Sequence, residues 1–253
     1  MTERVIKIGG AALADAAWLT SFADAVAAAG SPLVIVHGGG PEITALSDRL
    51  AVETRWHEGR RVTPPEAMDV AAMVLNGLVS TRVTAALLAA GVDAVGLSGV
   101  DGGLLTADLL EGGLLGRVGV VRGVRTGLLR SLLQEGHTVV VSPVSLCADG
   151  NPVNVNADDA ASAIAAALGA AELVFLTDVP GVRGTAGLCT RLDAGDALGL
   201  VRSGVAFGGM GVKLSASVRA LDAGVPSIRI GDARVLYDGA AGTVVRHALE
   251  GVA

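Results

Sequence analysis

Apolar and polar positions change period repeatedly along the chain. Short β-branched runs, RVIKI at 4–8, PLVIVH at 32–37, TVVVSPV at 138–144, ELVFLTDV at 172–179 and PSIRI at 226–230, are nearly continuous in hydrophobicity, as strands covered on both faces are. Between them lie Ala-rich helical stretches near 14–29, from Pro41 onward, near 64–90, near 126–135, near 157–168 and after Lys213. This alternation predicts parallel strands joined by crossover helices, an α/β sandwich. Between about 93 and 125 the pattern changes: VDAVGLSG, GGLLTADLL and GRVGVVRGV are punctuated by glycine and predict a β-hairpin or small antiparallel excursion over a substrate site. No linker separates lobes cleanly; a lobe boundary is expected near 170.

At 253 residues, 51% of them apolar, the chain can bury a large core as one domain or two joined lobes. Charged residues interrupt every apolar run before the ~18 residues a bilayer span needs. The opening MTERVIKIGG lacks the basic head and apolar middle of an export signal, so a cytoplasmic protein without a membrane partner is expected. A net charge of −6 and 2% aromatic residues remove the electrostatic footprint and stacking surfaces of a nucleic-acid binder. Cys147 and Cys189 fall in no metal or redox spacing and no HxxxH pair occurs, so no protein-bound metal is expected. A small-molecule partner fits best.

Two glycine clusters directly follow strands, KIGG at 7–10 and HGGGP at 37–41. Such turns let backbone N–H groups face an anion, and a helix N-terminus adds its positive dipole end; tight strand-to-helix turns also use glycine for steric reasons alone. Neither a P-loop nor a dinucleotide fingerprint occurs. In NVNADDAASAIAAALGAA at 154–171, Asn156 reads as an N-cap with Asp158 and Asp159 in the first turn. Asn151, Asn154 and Asn156 crowd before that helix, as turn formers or as amides for a ligand. GGMGVK at 208–213 reads as a third glycine-rich turn delivering Lys213 to a helix start. Of the 19 basic residues only Lys7 and Lys213 are lysine. A chain that is otherwise all arginine keeps the compact, rotatable ammonium only beside glycine turns, which suits a moving phosphoryl oxygen. GRRVT at 59–63 offers Arg60 and Arg61, either to a substrate carboxylate or to solvent.

In this order, KIGG, VHGGGP, GRRVT, VGLSGVDGGLL, LGRVGVV, NVNADDAA, LTDVPGV and GGMGVK resemble the amino-acid kinase family, most closely its acetylglutamate kinase branch, from about residue 4 to 245. The resemblance implies a three-layer α/β/α sandwich with a mainly parallel sheet and two lobes, about 1–170 for the acceptor and about 171–253 for the nucleotide. It implies transfer of the γ-phosphoryl group of ATP to the γ-carboxylate of N-acetyl-L-glutamate, a step of arginine biosynthesis, with Mg²⁺ held mainly through ATP oxygens. On matching positions, Lys7 and Lys213 would neutralise phosphate and Asp158 would orient both. Gly9, Gly10, Gly39 and Gly40 would donate backbone N–H groups to the phosphoryl group. Gly38, Gly39, Arg61 and Asn154 would hold the acceptor, with Arg61 on its α-carboxylate, while Thr177, Asp178, Gly181 and Lys213 would line the nucleotide pocket.

Ala11, Pro64 and Val212 depart from residues common in relatives, and none of these changes removes a charged catalytic group. Two other readings stay open, the sister kinase of lysine biosynthesis that acts on a carrier-linked aminoadipyl group, and a non-catalytic sensor on the same scaffold. With the first strand starting near Arg4, a homodimer without strong arginine feedback is expected.

Overall fold

The computed structural model describes residues 4–248; Met1, Thr2 and Glu3, where the reading of no export signal begins, lie outside them. Consecutive apolar residues in the strands reflect burial on both faces. In β1 (Arg4–Ile8), Val5 joins one apolar cluster, while Ile6 and Ile8 join another. β2 (Val34–His37) repeats this, with Val34 and Val36 on the first side and Ile35 on the second. Helices α1 (Ala16–Ala29), α2 (Gly40–Arg49) and α3 (Pro65–Ala89) cover the second side. Ahead of α3 stands a hairpin of β3 (Arg55–His57) and β4 (Arg60–Val62).

The chain continues through β5 (Ala94–Ser98), β6 (Leu105–Leu109), β7 (Val118–Val124), α4 (Thr126–Gln134), β8 (Thr138–Ser142), β9 (Val144–Cys147) and β10 (Pro152–Val155). Then come α5 (Ala157–Leu168), β11 (Glu172–Leu176), the small hairpin β12 (Arg183–Gly184) and β13 (Gly187–Leu188), and β14 (Arg191–Asp193). Last are α6 (Ala194–Arg202), α7 (Gly208–Asp222), β15 (Ile228–Gly231) and β16 (Thr243–Arg246). Eight strands form one sheet in the order β14-β16-β15-β11-β1-β2-β8-β5, parallel from β15 to β5 and antiparallel only between β15 and β16. Helices α4 to α7 cover the first side, giving three layers, α/β/α. Since β1 lies between β11 and β2, the sheet runs unbroken across residue 170.

The glycine-punctuated stretch divides. Residues 94–98 are not part of an excursion but the edge strand β5, because Ala94 to Ser98 pair in parallel with Thr138 to Ser142. The rest, β6 and β7, are antiparallel as expected and close with β9 and β10 into a four-stranded barrel. TVVVSPV is likewise two strands. Pro143 has no N–H for a ladder, so β8 ends at Ser142 in the main sheet and β9 starts at Val144 in the barrel.

By length and mean hydropathy α3 could cross a membrane, yet Val70, Val74, Val79, Val83 and Leu87 pack it into the second core. It widens into π-helix from Met73 to Val79, a feature frequent at functional sites. There Asn76 accepts a hydrogen bond from Ser142.

His37 ends β2 with no exposed surface, and its Nδ1 lies 3.1 Å from the Gly38 carbonyl. Burial drives its pKa down to about 4, against the opposing pull of that carbonyl. The folded imidazole therefore stays neutral where an unfolded one, titrating near 6.5, takes up a proton. The stability gained from neutral His37 is complete above about pH 6.5 and is lost as pH falls toward 4, by up to ~1.4 kcal/mol per pH unit. Urea unfolding of the wild type should weaken across this window, and His37→Gln should flatten the slope.

Candidate active site

Parallel strands end at one edge of the sheet, and ligands of such folds bind beyond those carboxyl ends. Here β1 and β2 each run into glycines. A Cβ on Gly10 would lie 2.9 Å from Gly39 Cα and 3.0 Å from Gly40 N, and one on Gly39 would meet Leu75 Cδ2 of the π-helical segment at 2.9 Å. The two turns thus touch backbone to backbone, and only glycine fits. Gly9 caps a four-residue helical turn, Gly10–Leu13. Helix α2 starts at Gly40, so Pro41 is its second residue and not its first.

Three charges meet beside these turns. Lys7 shares the sheet face of Val5 and points to α5, where its Nζ lies 2.7 Å from Asp158 Oδ1. Lys213 Nζ, on α7, lies 3.4 Å from Asp158 Oδ2 and 6.0 Å from the centre of the Phe175 ring. All three side chains are nearly buried. Asn156 caps α5 as expected, its Oδ1 accepting from the backbone N–H groups of Asp158 and Asp159. Burial works to raise the Asp158 pKa, but the neighbouring charges of Lys7 and Lys213 more than reverse it, and the net shift is downward. Burial, followed by the charge of Lys7, lowers the Lys213 pKa against the pull of Asp158.

A cavity of about 300 Å³ opens from this cluster. It gathers Lys7, Gly10, Gly38, Gly39, Gly40, Arg61, Asn154 and Asp158. Arg61 is held by Thr54 Oγ1 at 3.1 Å, Thr44 Oγ1 at 2.7 Å and the Gly40 carbonyl at 3.1 Å, and stacks 4.7 Å from the centre of the Trp56 ring. Burial lowers its pKa, against the charge of Asp48. Asn154 Nδ2 donates to Thr63 Oγ1 at 3.3 Å, which joins the two ends of the acceptor-like motifs. Asn151 instead forms the turn before β10, its N–H donating to Asp149 Oδ1.

Other candidates stand apart. Lys213 reaches Asp158 but does not line the cavity, and it is not at a helix start: α7 begins at Gly208, so the third glycine cluster is the helix's own first turn and Lys213 sits in the second. Thr177 and Asp178 follow β11, where Thr177 Oγ1 donates to Asp178 Oδ1 at 3.0 Å. Neither they nor Gly181 line this cavity. Pro64 caps α3, and Val212 is partly exposed beside Lys213; the Ala11 side chain lies outside what is described. Sequence reading missed Trp56, whose signal was an aromatic residue five positions before Arg61 in an aromatic-poor chain. It also missed Thr44 and Thr54, which carry no such signal, and the hairpin itself. Among the described residues no three His, Cys, Asp or Glu side chains gather as a metal site.

The profile of the amino acid kinase family matches residues 3–232. Acetylglutamate kinase from Roseiflexus sp. (strain RS-1) is 47% identical over 228 residues, covering 89% of this chain and 87% of the relative. That from Geobacillus kaustophilus (strain HTA426) is 43% identical over 89% of this chain and 88% of the relative. Among solved structures, smu.665 from Streptococcus mutans UA159 superposes with a TM-score of 0.83 at 27% identity, covering 97% of this chain and 98% of that one. Giardia carbamate kinase, at 18% identity and a TM-score of 0.75 over 98% of this chain and 99% of that one, shares the fold. A family profile matched over nine-tenths of the sequence, and relatives this similar along most of their own length, mean that the chain belongs to the amino acid kinase family.

Proposed function

We propose that this protein transfers the γ-phosphoryl group of ATP to the γ-carboxylate of N-acetyl-L-glutamate, forming N-acetylglutamyl 5-phosphate for arginine biosynthesis. The observation that carries the reading is the pair of ammonium groups on one carboxylate beside a cavity that holds a buried arginine. The names of the relatives supply the acceptor.

A carboxylate acceptor is already anionic and needs no general base. The site has to align donor and acceptor and to neutralise crowded negative charge. In this reading Lys7 and Lys213 take up charge on the transferring group, and Asp158 keeps both Nζ atoms in place. Backbone N–H groups of Gly9, Gly10, Gly39 and Gly40 add fixed donors. Arg61 binds the α-carboxylate, while Gly38, Gly39 and Asn154 hold the rest of the acceptor. Thr177, Asp178 and Gly181 line the nucleotide side, so that residues up to about 170 serve the acceptor and the remainder serves ATP.

Asp158 is taken by two ammonium groups, and its neighbour Asp159 by two arginines. Neither is a free ligand, so these residues do not form a protein cradle for Mg²⁺. The ion would be carried by the nucleotide's own oxygens. A cytoplasmic homodimer fits this reading, with the apolar exposure of Met73, Leu78 and Leu88 on α3 available to a second copy.

ADP release by purified protein should require N-acetyl-L-glutamate and be far slower with glutamate, aspartate or no acceptor; release that ignores the acceptor would sink the proposal. Arg61→Ala should raise the acceptor KM while leaving the ATP KM nearly unchanged, since its partner does not react. An unaltered acceptor KM would remove Arg61 from its role. Lys213→Arg keeps the charge but puts it on a longer planar group, and kcat should fall roughly 10²-fold, as when one preorganised donor is lost. Lys7→Arg should behave similarly, with poorer ATP binding. Near wild-type turnover in both variants would refute the phosphate assignment.

A further inference from the structure

A second set of charges repeats the layout of the catalytic cluster one residue further on. Asp159 follows Asp158 in the first turn of α5, about 100° around the helix, and is held from two directions. Arg60 Nη2 lies 3.1 Å from its Oδ2, and Arg219 Nη2 lies 2.6 Å from its Oδ1. Arg60 precedes Arg61 on β4, and successive side chains of a strand leave on opposite faces. Both arginines line the first cavity, but Arg61 is held by Thr44, Thr54 and the Gly40 carbonyl while Arg60 reaches across to α5. Arg219 and Lys213 share α7, six residues or about 9 Å apart along its axis. The three elements that carry Arg61, Asp158 and Lys213 are thus tied together through Asp159.

Among the described residues the hairpin and α7 share no direct ion pair and meet through Asp159. A second cavity of about 450 Å³ separates Glu58 and Gly59, at the hairpin turn, from Ala206, Phe207 and Gly208 at the start of α7. Arg60, Asp159 and Arg219 also line it, so the ion pairs bridge an open gap. Stability is a poor explanation for them. Arg219 is 55% exposed, where ion pairs contribute little. Arg60 Nη1 is buried without a hydrogen-bond partner among the described residues, which is costly to retain.

We propose that Asp159 is a positioning residue: the Arg60–Asp159–Arg219 clamp couples closure of the β3–β4 hairpin over the acceptor to the placement of α7, and hence Lys213, at the nucleotide. This rests on the acceptor and nucleotide assignments above. A hairpin drawn in by the acceptor pulls Arg60 against Asp159, and Asp159 holds α7 through Arg219. Binding of either ligand then favours the arrangement that the other requires. Such coupling is reciprocal, each ligand tightening the other by the same factor.

Calorimetric titration of the full chain with Mg²⁺ and β,γ-imido ATP, with and without saturating N-acetyl-L-glutamate, tests this. In the wild type the acceptor should tighten the analogue about 5-fold or more, the lower end of ordinary coupling. In Asp159→Asn and in Arg219→Gln that factor should fall below about 2-fold, with affinities for each ligand alone much less changed, and Arg219→Lys should restore part of it. Should Asp159→Asn fail to fold, the exposed Arg219→Gln decides. Equal factors in wild type and variants, or no tightening in a wild type that binds both ligands, would overturn the clamp alone. A wild type that binds the analogue but not N-acetyl-L-glutamate would overturn the acceptor reading, and the clamp with it.

Discussion

A buried carboxylate holding two buried ammonium groups is the constraint on which the rest of the structure depends. Each ion loses hydration worth several kcal/mol on burial, and only close opposite charge and hydrogen bonds repay it. Lys7, Asp158 and Lys213 together carry one excess positive charge in a space largely cut off from water. Asp158 lets two like charges stay near each other. The surplus is left for an anion, and a phosphate at that point would complete what Asp158 half satisfies. Its arrival would also favour the protonated form of Lys213, whose pKa burial and Lys7 pull down.

Meeting that constraint takes three elements distant in sequence. Strand β1 lies mid-sheet, so the direction of Lys7 is set by ladders on both sides. The first turn of α5, capped by Asn156, adds its positive dipole end, which favours an ionised Asp158. Helix α7 packs on α5, and its second turn reaches the same carboxylate. The glycine turns then fill the remaining side with backbone, at a separation no Cβ would permit.

Much of this was legible in the chain, for reasons that differ by element. The central strands and α5 were visible because burial on both faces leaves unbroken apolar runs, and because Asn156 and Gly169 mark the ends of α5 with a side-chain cap and a left-handed glycine. The lysines stood out through composition. What stayed hidden depends on tertiary pairing. Strands β3, β14 and β16, of three or four residues each, are too short for periodicity to register. Strand β5 resembles its glycine-rich neighbours until β8 lies beside it. GGMG reads as a turn because glycine weakens helices, yet packing against α5 and α6 carries α7 back to Gly208. That Arg60 pairs with Asp159 was hidden, since an ion pair across 99 positions leaves no local trace.

The barrel explains why the excursion lies where it does. Thr63, at the base of the β3–β4 hairpin, donates its N–H to the Leu115 carbonyl at 2.9 Å and accepts from the Arg117 N–H at 2.6 Å. The Arg117 carbonyl accepts from the Asn154 N–H at 2.8 Å, and the Asn154 side chain returns to Thr63. This closed circuit links the segment after Arg61 to the strand before Asp158. Within β10, Val153 and Val155 point into the first core, which leaves Asn154 facing the cavity. A shift of one residue in barrel register would bury Asn154 and expose two valines. Barrel packing thus selects which amide meets a ligand, and α5, which starts three residues after Asn154, receives its direction from the same strand. The antiparallel excursion is therefore a jig that aligns the acceptor end of the cavity with the charge cluster, and its glycines allow four short strands to close tightly enough to do so.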